Sequence, residues 1–159
     1  MKIAVIHDYA DVLRTTSAYS KLQGHEVKIY NDAYTDPARV VEQVKGCDAL
    51  LLTQQRMVVS RKTLEQLPQL KFISQTGRNV NHIDIAACTE KGIVVSGGGG
   101  GNPTPTAELA WGLILAALRR IPQEARRLQD GKWQGSVGTG LAGKTLGIYA
   151  YGRIGSLMA

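Results

Sequence analysis

Cysteine is scarce in this chain of 159 residues: there are two, Cys47 and Cys88, far apart and in no C-x-x-C pair. That spacing excludes a disulfide framework and a paired-cysteine zinc or redox motif. Both read as reduced, partly buried thiols, and no metal site is assigned. Long hydrophobic runs are missing as well. The longest, "LAWGLILAAL" from Leu109 to Leu118, is too short to span a bilayer. The opening "MKIAVIHDYAD" places Asp8 where the apolar core of a signal peptide should continue. No membrane partner is expected, and the expected compartment is the cytoplasm. Aromatic residues make up only 6%. None interleaves with the densest basic cluster, Arg119, Arg120, Arg126 and Arg127, as single-strand nucleic-acid binding would require. The net charge of +6 is therefore read as solvated helix ends rather than a nucleic-acid surface.

What is present is alternation. Five short apolar runs, 2–6, 26–30, 49–53, 72–76 and 92–96, have strand length and are rich in Val, Ile and Leu. Several are apolar without a polar partner at every second position, as in parallel strands covered on both faces. Helical segments are predicted between them. Residues 37–45 have Asp36 as N-cap and Gly46 as stop; 61–66 follow Ser60 and halt before Pro68; 83–91 are followed by Gly92, with His82 and Asp84 as capping residues. Strands alternating with helices predict an α/β fold with right-handed crossovers.

The composition then shifts. Gly97 to Gly101 are five consecutive glycines, followed by "NPTPT". Polyglycine has maximal backbone freedom, so a boundary is expected here, with one domain over 1–101 and a second over 102–159. The run reads as a flexible linker or as a hinge above a ligand cleft. After it Thr104 is the expected N-cap, with Pro105 at the first helical position. From Leu109 to Leu118 that helix is apolar around most of its circumference and needs cover on most sides. Pro122 is expected to end or bend it, and residues 129–144 read as loop.

The chain closes on "KTLGIYAYGRIGSLMA". An apolar strand is expected over 146–149, running into Ala150-Tyr151-Gly152-Arg153-Ile154-Gly155. This is the dinucleotide fingerprint G-x-G-x-x-G with alanine at the first glycine. Gly152 would let the backbone approach a pyrophosphate, Gly155 would allow close packing, and the amides around Arg153 and Ile154 would face the phosphates.

Four segments together resemble the NAD-dependent D-2-hydroxyacid dehydrogenases, a family that includes phosphoglycerate dehydrogenase-like enzymes. They are "LPQLKFISQTGRNVNHIDIAACTEKGIVV", "PTAELAWGLILAALRRI", "GKW" and "LAGKTLGIYAYGRIG". The resemblance implies a flavodoxin-like parallel-sheet substrate domain followed by the start of a Rossmann NAD-binding domain. It implies NAD as cofactor, with NADP not excluded, and a small 2-hydroxy or 2-oxo acid as substrate. A homodimer through the 104–121 helix region is also implied.

Residue by residue, the resemblance places the main-chain amides of Asn79 and Val80 on the substrate carboxylate. It places Arg78 on the cofactor, Thr106 near the nicotinamide, and Gly152, Arg153, Ile154 and Gly155 on the pyrophosphate. Two asparagines, at 79 and 81, replace the family's second glycine and aspartate, and asparagine tolerates a left-handed turn. Glutamines at 54 and 55 replace the family's Arg-Ser, leaving Arg56 as the nearby cation for substrate. The His, carboxylate and Arg that move the proton and grip the substrate lie beyond position 159 in the family, so no catalytic residue is assigned. The chain reads as an N-terminal part, inactive alone. A cofactor-sensing corepressor or an oligomerisation module without turnover stands as the alternative. His7 and Asp8 could line a cleft after the first strand, and His25 reads as exposed.

Overall fold

The computed structural model describes residues 1–32, 36–99 and 101–159. They form two compact units, Met1–Gly101 and Asn102–Ala159. In the first, β1 (Lys2–Ile6), β2 (Glu26–Ile29), β3 (Ala49–Leu52), β4 (Phe72–Gln75) and β5 (Val94–Gly97) form one sheet in the order β2-β1-β3-β4-β5. Every pairing is parallel. This is the flavodoxin-like order, with the reversal between β1 and β3.

Three helices join the strands from β2 onward: α1 (Pro37–Val44), α2 (Arg61–Glu65) and α3 (Ile85–Glu90). Each starts where a short polar side chain takes up an orphan amide. Asp36 accepts from the Ala38 N–H, Ser60 from Thr63 and Asp84 from Ala87. His82 does not share in the capping expected of it. Both its ring nitrogens are enclosed and have no partner among the described residues, and the helix amide of Ala87 is taken by Asp84.

The connections over β2→β3, β3→β4 and β4→β5 all run in one direction across the sheet. Right-handed crossovers put such helices on one face. The core agrees: Ala4, Ile6, Leu50, Leu52 and Ile73 meet Val40, Val41 and Val44 of α1, Leu64 of α2, and Ala87 and Cys88 of α3. The β1→β2 connection runs the other way and is made of two short 3-10 turns, Leu13–Thr15 and Tyr19–Leu22. Both cysteines are buried and free, and burial pushes the Cys47 thiol up to about 11.

The glycine run is less uniform than its composition suggests. β5 extends through Gly97, and Gly98 donates to Gln75 O (2.8 Å) and Gly77 O (3.1 Å). A Cβ on Gly98 would lie 2.5 Å from Thr76 O. Gly98 is thus stitched to the end of β4 and cannot take part freely in a hinge. Gly100, part of the expected hinge, lies outside the described residues. We expect Gly98→Ala to destabilise the protein by about 1–3 kcal/mol, the usual cost of forcing atoms into a filled space. Urea unfolding of the variant measures this.

In the second unit, α4 (Thr104–Leu118) is followed by α5 (Ile121–Gln129) and α6 (Gly155–Met158). Thr104 is not the cap of α4 but its first residue; its own N–H is taken by Asn102 Oδ1 at 3.0 Å. Nor does Pro122 end α4. Arg120 does, in the left-handed region at φ 56°, and Pro122 sits in the first turn of α5, where a proline loses no hydrogen bond. The loop after α5 is fastened to it. Glu124 accepts from Gly135 N (2.9 Å) and Ser136 Oγ (2.6 Å), and Arg127 Nε donates to Trp133 O (3.1 Å). The strand expected over 146–149 does not form, since a strand needs a partner and none lies beside it among the described residues.

Candidate functional site

In a parallel α/β sheet the ligand crevice lies beyond the carboxyl ends of the strands, where the strand order reverses. Here those ends are tied together. Thr53 Oγ1 donates to Ile6 O (2.7 Å), Gln54 N donates to Thr76 Oγ1 (2.9 Å), and Thr76 N donates to Leu52 O (3.1 Å). The chain leaves β1 and β3 sharply: His7 and Gln54 both adopt left-handed backbone, at φ 60° and 62°. Non-glycine residues in that region store strain, which gathers at ligand sites.

Arg56 belongs to this edge. It is half-buried. Its Nη1 donates to His7 O at 2.7 Å, and its guanidinium carbon lies 3.8 Å from the centroid of the Tyr9 ring. Stacking on an aromatic face and a carbonyl hydrogen bond fix a guanidinium in one place. Asp8 is not its counter-ion, because both Asp8 oxygens are spent on the amides of Val12 and Leu13, at 3.0 and 2.9 Å. His7 and Asp8 are both buried at this edge. His25 is exposed, away from it.

The loop after β4 holds the other substrate candidates. Gly77, Arg78, Asn79 and Val80 follow the last strand residue, Gln75, and Arg78 and Asn79 are exposed. Asn79 does not use left-handed backbone, contrary to the expectation for an asparagine replacing glycine. Its Oδ1 instead accepts from Asn81 N at 2.8 Å, a side-chain turn that makes a positive φ unnecessary. The N–H groups of Asn79 and Val80 have no acceptor among the described residues. The loop is anchored at its far end by Ile83 N to Val80 O (2.9 Å) and Val59 N to His82 O (2.8 Å). Arg78, Val80 and Gly97 also line a cavity of about 400 Å³ with Cys88, Ile93 and Val95.

The second unit carries the remaining candidates. Gly155 is buried at the start of α6. A Cβ there would lie 2.4 Å from Ala150 O and 3.2 Å from Ile148 Cγ2, so only glycine fits. At Gly152 a Cβ would meet nothing within 4 Å. Packing does not require glycine at 152, whereas an approaching ligand would. The Ile154 N–H has no acceptor among the described residues, and Arg153 is exposed. Thr106 is exposed in the first turn of α4, and α4 packs against α5 and α6. The residues present thus fit a dinucleotide phosphate: one tight glycine, one open glycine and an unspent amide.

Ala150 stands at φ 73°, the conformation that explains why the fingerprint prefers glycine first. A left-handed alanine costs about 1–2 kcal/mol, part of which glycine returns as unfolded-chain entropy. Ala150→Gly is expected to stabilise the second unit by roughly 0.5–1 kcal/mol, read as a higher Tm for its unfolding.

Sequence reasoning missed two residues at the sheet edge. Tyr9 gave no signal beyond being an exposed aromatic after a strand. Gln75 was absorbed into a strand, although it alternates with Ile73 and so shares its buried face. No group of three or more metal-ligating side chains occurs among the described residues. None of the described helices is long and apolar enough to cross a membrane.

Residues 3–151 match the family described as D-isomer specific 2-hydroxyacid dehydrogenase, catalytic domain. A D-3-phosphoglycerate dehydrogenase of Archaeoglobus fulgidus is 36% identical over 139 residues, which are 86% of this chain and 26% of that protein. Among solved structures, a phosphoglycerate oxidoreductase from Vibrio cholerae superposes with TM-score 0.93 at 42% identity, over 99% of this chain and 51% of that one. An NAD-dependent formate dehydrogenase from Staphylococcus aureus in complex with NAD superposes with TM-score 0.71 at 26% identity, over 100% and 52%. The chain therefore spans about half the length of the solved structures it matches, and about a quarter of the Archaeoglobus relative. With nearly the whole chain inside the matched region, it belongs to the D-isomer specific 2-hydroxyacid dehydrogenase family.

Proposed function

We propose that this chain is part of an NAD-dependent oxidoreductase acting on the CH–OH group of a D-2-hydroxy acid. Residues 1–101 form its substrate-binding part, and 102–159 open its cofactor-binding domain. The observation that carries the reading is the pair of unspent amides at Asn79 and Val80, exposed on the loop at the carboxyl edge of the sheet. A carboxylate held by main-chain N–H groups gains charge-assisted hydrogen bonds without a side chain that must be ordered. Arg56 lies at the same edge, prepositioned by His7 O and Tyr9, as a cation for the substrate. Arg78 beside the loop, Thr106 on α4, and Gly152, Arg153, Ile154 and Gly155 are assigned to the cofactor.

Nicotinamide, when bound, supplies hydride transfer at C2 of the acid. The residues described here bind and orient; no proton transfer is assigned to His7, His25 or His82. The 159 residues alone are proposed to be inactive for that reason. We further propose a cytoplasmic homodimer through the 104–121 region. Leu109 and Leu113 of α4 are 63% and 61% exposed, an apolar surface that a second subunit would cover.

The test is stereochemical. The intact enzyme is assayed with D and L enantiomers of 2-hydroxy acids, with NAD and NADP in parallel. The expected result is dinucleotide reduction with D substrates and NAD preferred. Turnover of L enantiomers alone, or of none, would overturn the reading.

A further inference from the structure

Gln75 is the one polar side chain among the largest fully buried residues of the described structure. It is 1% exposed, and neither its Oε1 nor its Nε2 has a hydrogen-bond partner among the described residues. A buried amide left unpaired carries its full desolvation penalty. The position does not demand a polar residue. Gln75 follows Ile73 on the core face, and its register partner on β3 is Leu52. Leucine or methionine would fill the same place at no such cost.

The surroundings show where the amide is aimed. Its Nε2 lies 3.4 Å from the point a Cβ on Gly77 would occupy. Its register partner on β5 is Gly97, which also has no side chain. A Cβ on Gly97 would lie 3.5 Å from Gly77 O and 3.6 Å from Val80 Cγ1. The amide is therefore enclosed beneath glycine at the root of the Gly77–Val80 loop, and a side chain at 77 would rest directly against it. The φ of Gly77 does not require glycine, so backbone conformation does not explain that residue.

We propose that Gln75 is a substrate-binding and specificity-determining residue. Its Nε2 donates to a carboxylate oxygen of a small 2-oxo acid seated over Gly77, adding a third donor to the amides of Asn79 and Val80. The inference rests on the proposed function of that loop. It explains why the fold keeps an unpaired amide in its core, which is a partner supplied by the ligand. It also accounts for the glycine at 77: Nε2 is enclosed in this structure, and a glycine lets the loop backbone give way to the ligand oxygen where a larger residue would hold it shut.

The probe is oxamate, an unreactive 2-oxo acid analogue, used on the intact enzyme with NAD present. Its binding is followed by thermal shift, and steady-state kinetics are measured with the 2-oxo substrate. Gln75→Leu is expected to raise the Tm of the unliganded protein, because an unsatisfied polar group is removed. The same variant is expected to weaken oxamate about tenfold and to raise KM by a similar factor, with a smaller change in kcat. Gly77→Ala leaves the amide in place and rests a methyl against it; it is expected to weaken oxamate to a comparable degree. That second variant carries the test if Gln75→Leu does not fold. Oxamate affinity and KM within twofold of wild type in either folded variant would overturn the assignment. An ordered water over Gly77, in a variant with unchanged KM, would do the same. If wild-type protein binds no oxamate, it is the loop's proposed function that has failed.

Discussion

Replacing Gly155 with valine is expected to lower kcat/KM for the dinucleotide about 100-fold, the size of loss that a misplacement of about 1 Å can bring. The reason is local. A Cβ at 155 would stand 2.4 Å from Ala150 O, a main-chain atom that cannot swing aside as a side chain can. The turn from Ala150 to Gly155 must open, and the Ile154 amide leaves its place. Ala150 already sits in left-handed backbone, so little slack remains on that side of the turn. Gly152→Ala provides the contrast. Its Cβ would meet nothing within 4 Å, so Tm should stay while cofactor affinity falls. Titration of both variants with NAD, beside their melting curves, measures the two effects separately. Loss of Tm without loss of NAD affinity in Gly155→Val would remove the turn from the cofactor site.

Val80→Pro is expected to lower kcat/KM for the 2-oxo acid roughly 10- to 100-fold. Proline deletes one of the two unspent amides of the loop. A hydrogen bond to a charged group is worth about 1.5–3 kcal/mol, and each 1.36 kcal/mol is tenfold in rate. The Val80 carbonyl, which accepts from Ile83 N at 2.9 Å, survives the change, so the loop keeps its far anchor. The preceding residue is pushed toward extended backbone, which adds to the loss. Kinetics at fixed saturating NAD measure it, with the melting curve as a check on folding. Wild-type kcat/KM would take the loop out of the site.

Much of the fold was legible because its signals are local. The strands are short runs of branched aliphatics bounded by glycine and polar residues, and Asp36 and Ser60 announce their helices by capping chemistry. The flavodoxin-like order β2-β1-β3-β4-β5 followed from the family resemblance rather than from any local signal. What local signals did not reveal depends on partners distant in sequence. Residues 146–149 have the composition of a strand but no neighbour to pair with among the described residues, so composition alone misleads. Pro122 is a helix breaker only inside a helix. The break comes two residues earlier, at Arg120 in left-handed backbone, which no propensity scale flags for arginine. Thr104 and Asn102 are both good caps, and which one serves is decided by where the chain emerges from the glycine run.

The candidate site divides in the same way. The glycines and amides of the fingerprint and of the 77–80 loop are legible as motifs, because their use is fixed by backbone geometry. Gln75 is not, and Arg56 is named in the sequence only through the resemblance, without the contacts that hold it in place. The role of Arg56 depends on Tyr9, which is 47 positions away in sequence yet lies 3.8 Å from its guanidinium. The burial of Gln75 depends on its register with Leu52 and Gly97, which no local pattern encodes.

In the proposed site the main-chain amides of Asn79 and Val80 hold the carboxylate of the substrate. Amide-resolved NMR of the isotopically labelled intact enzyme, titrated with oxamate in the presence of NAD, tests it most directly. The Asn79 and Val80 N–H resonances are expected to move downfield together and saturate with a single Kd, as amides do on hydrogen bonding to an anion. Saturable binding that shifts resonances elsewhere and leaves those two unmoved would contradict it.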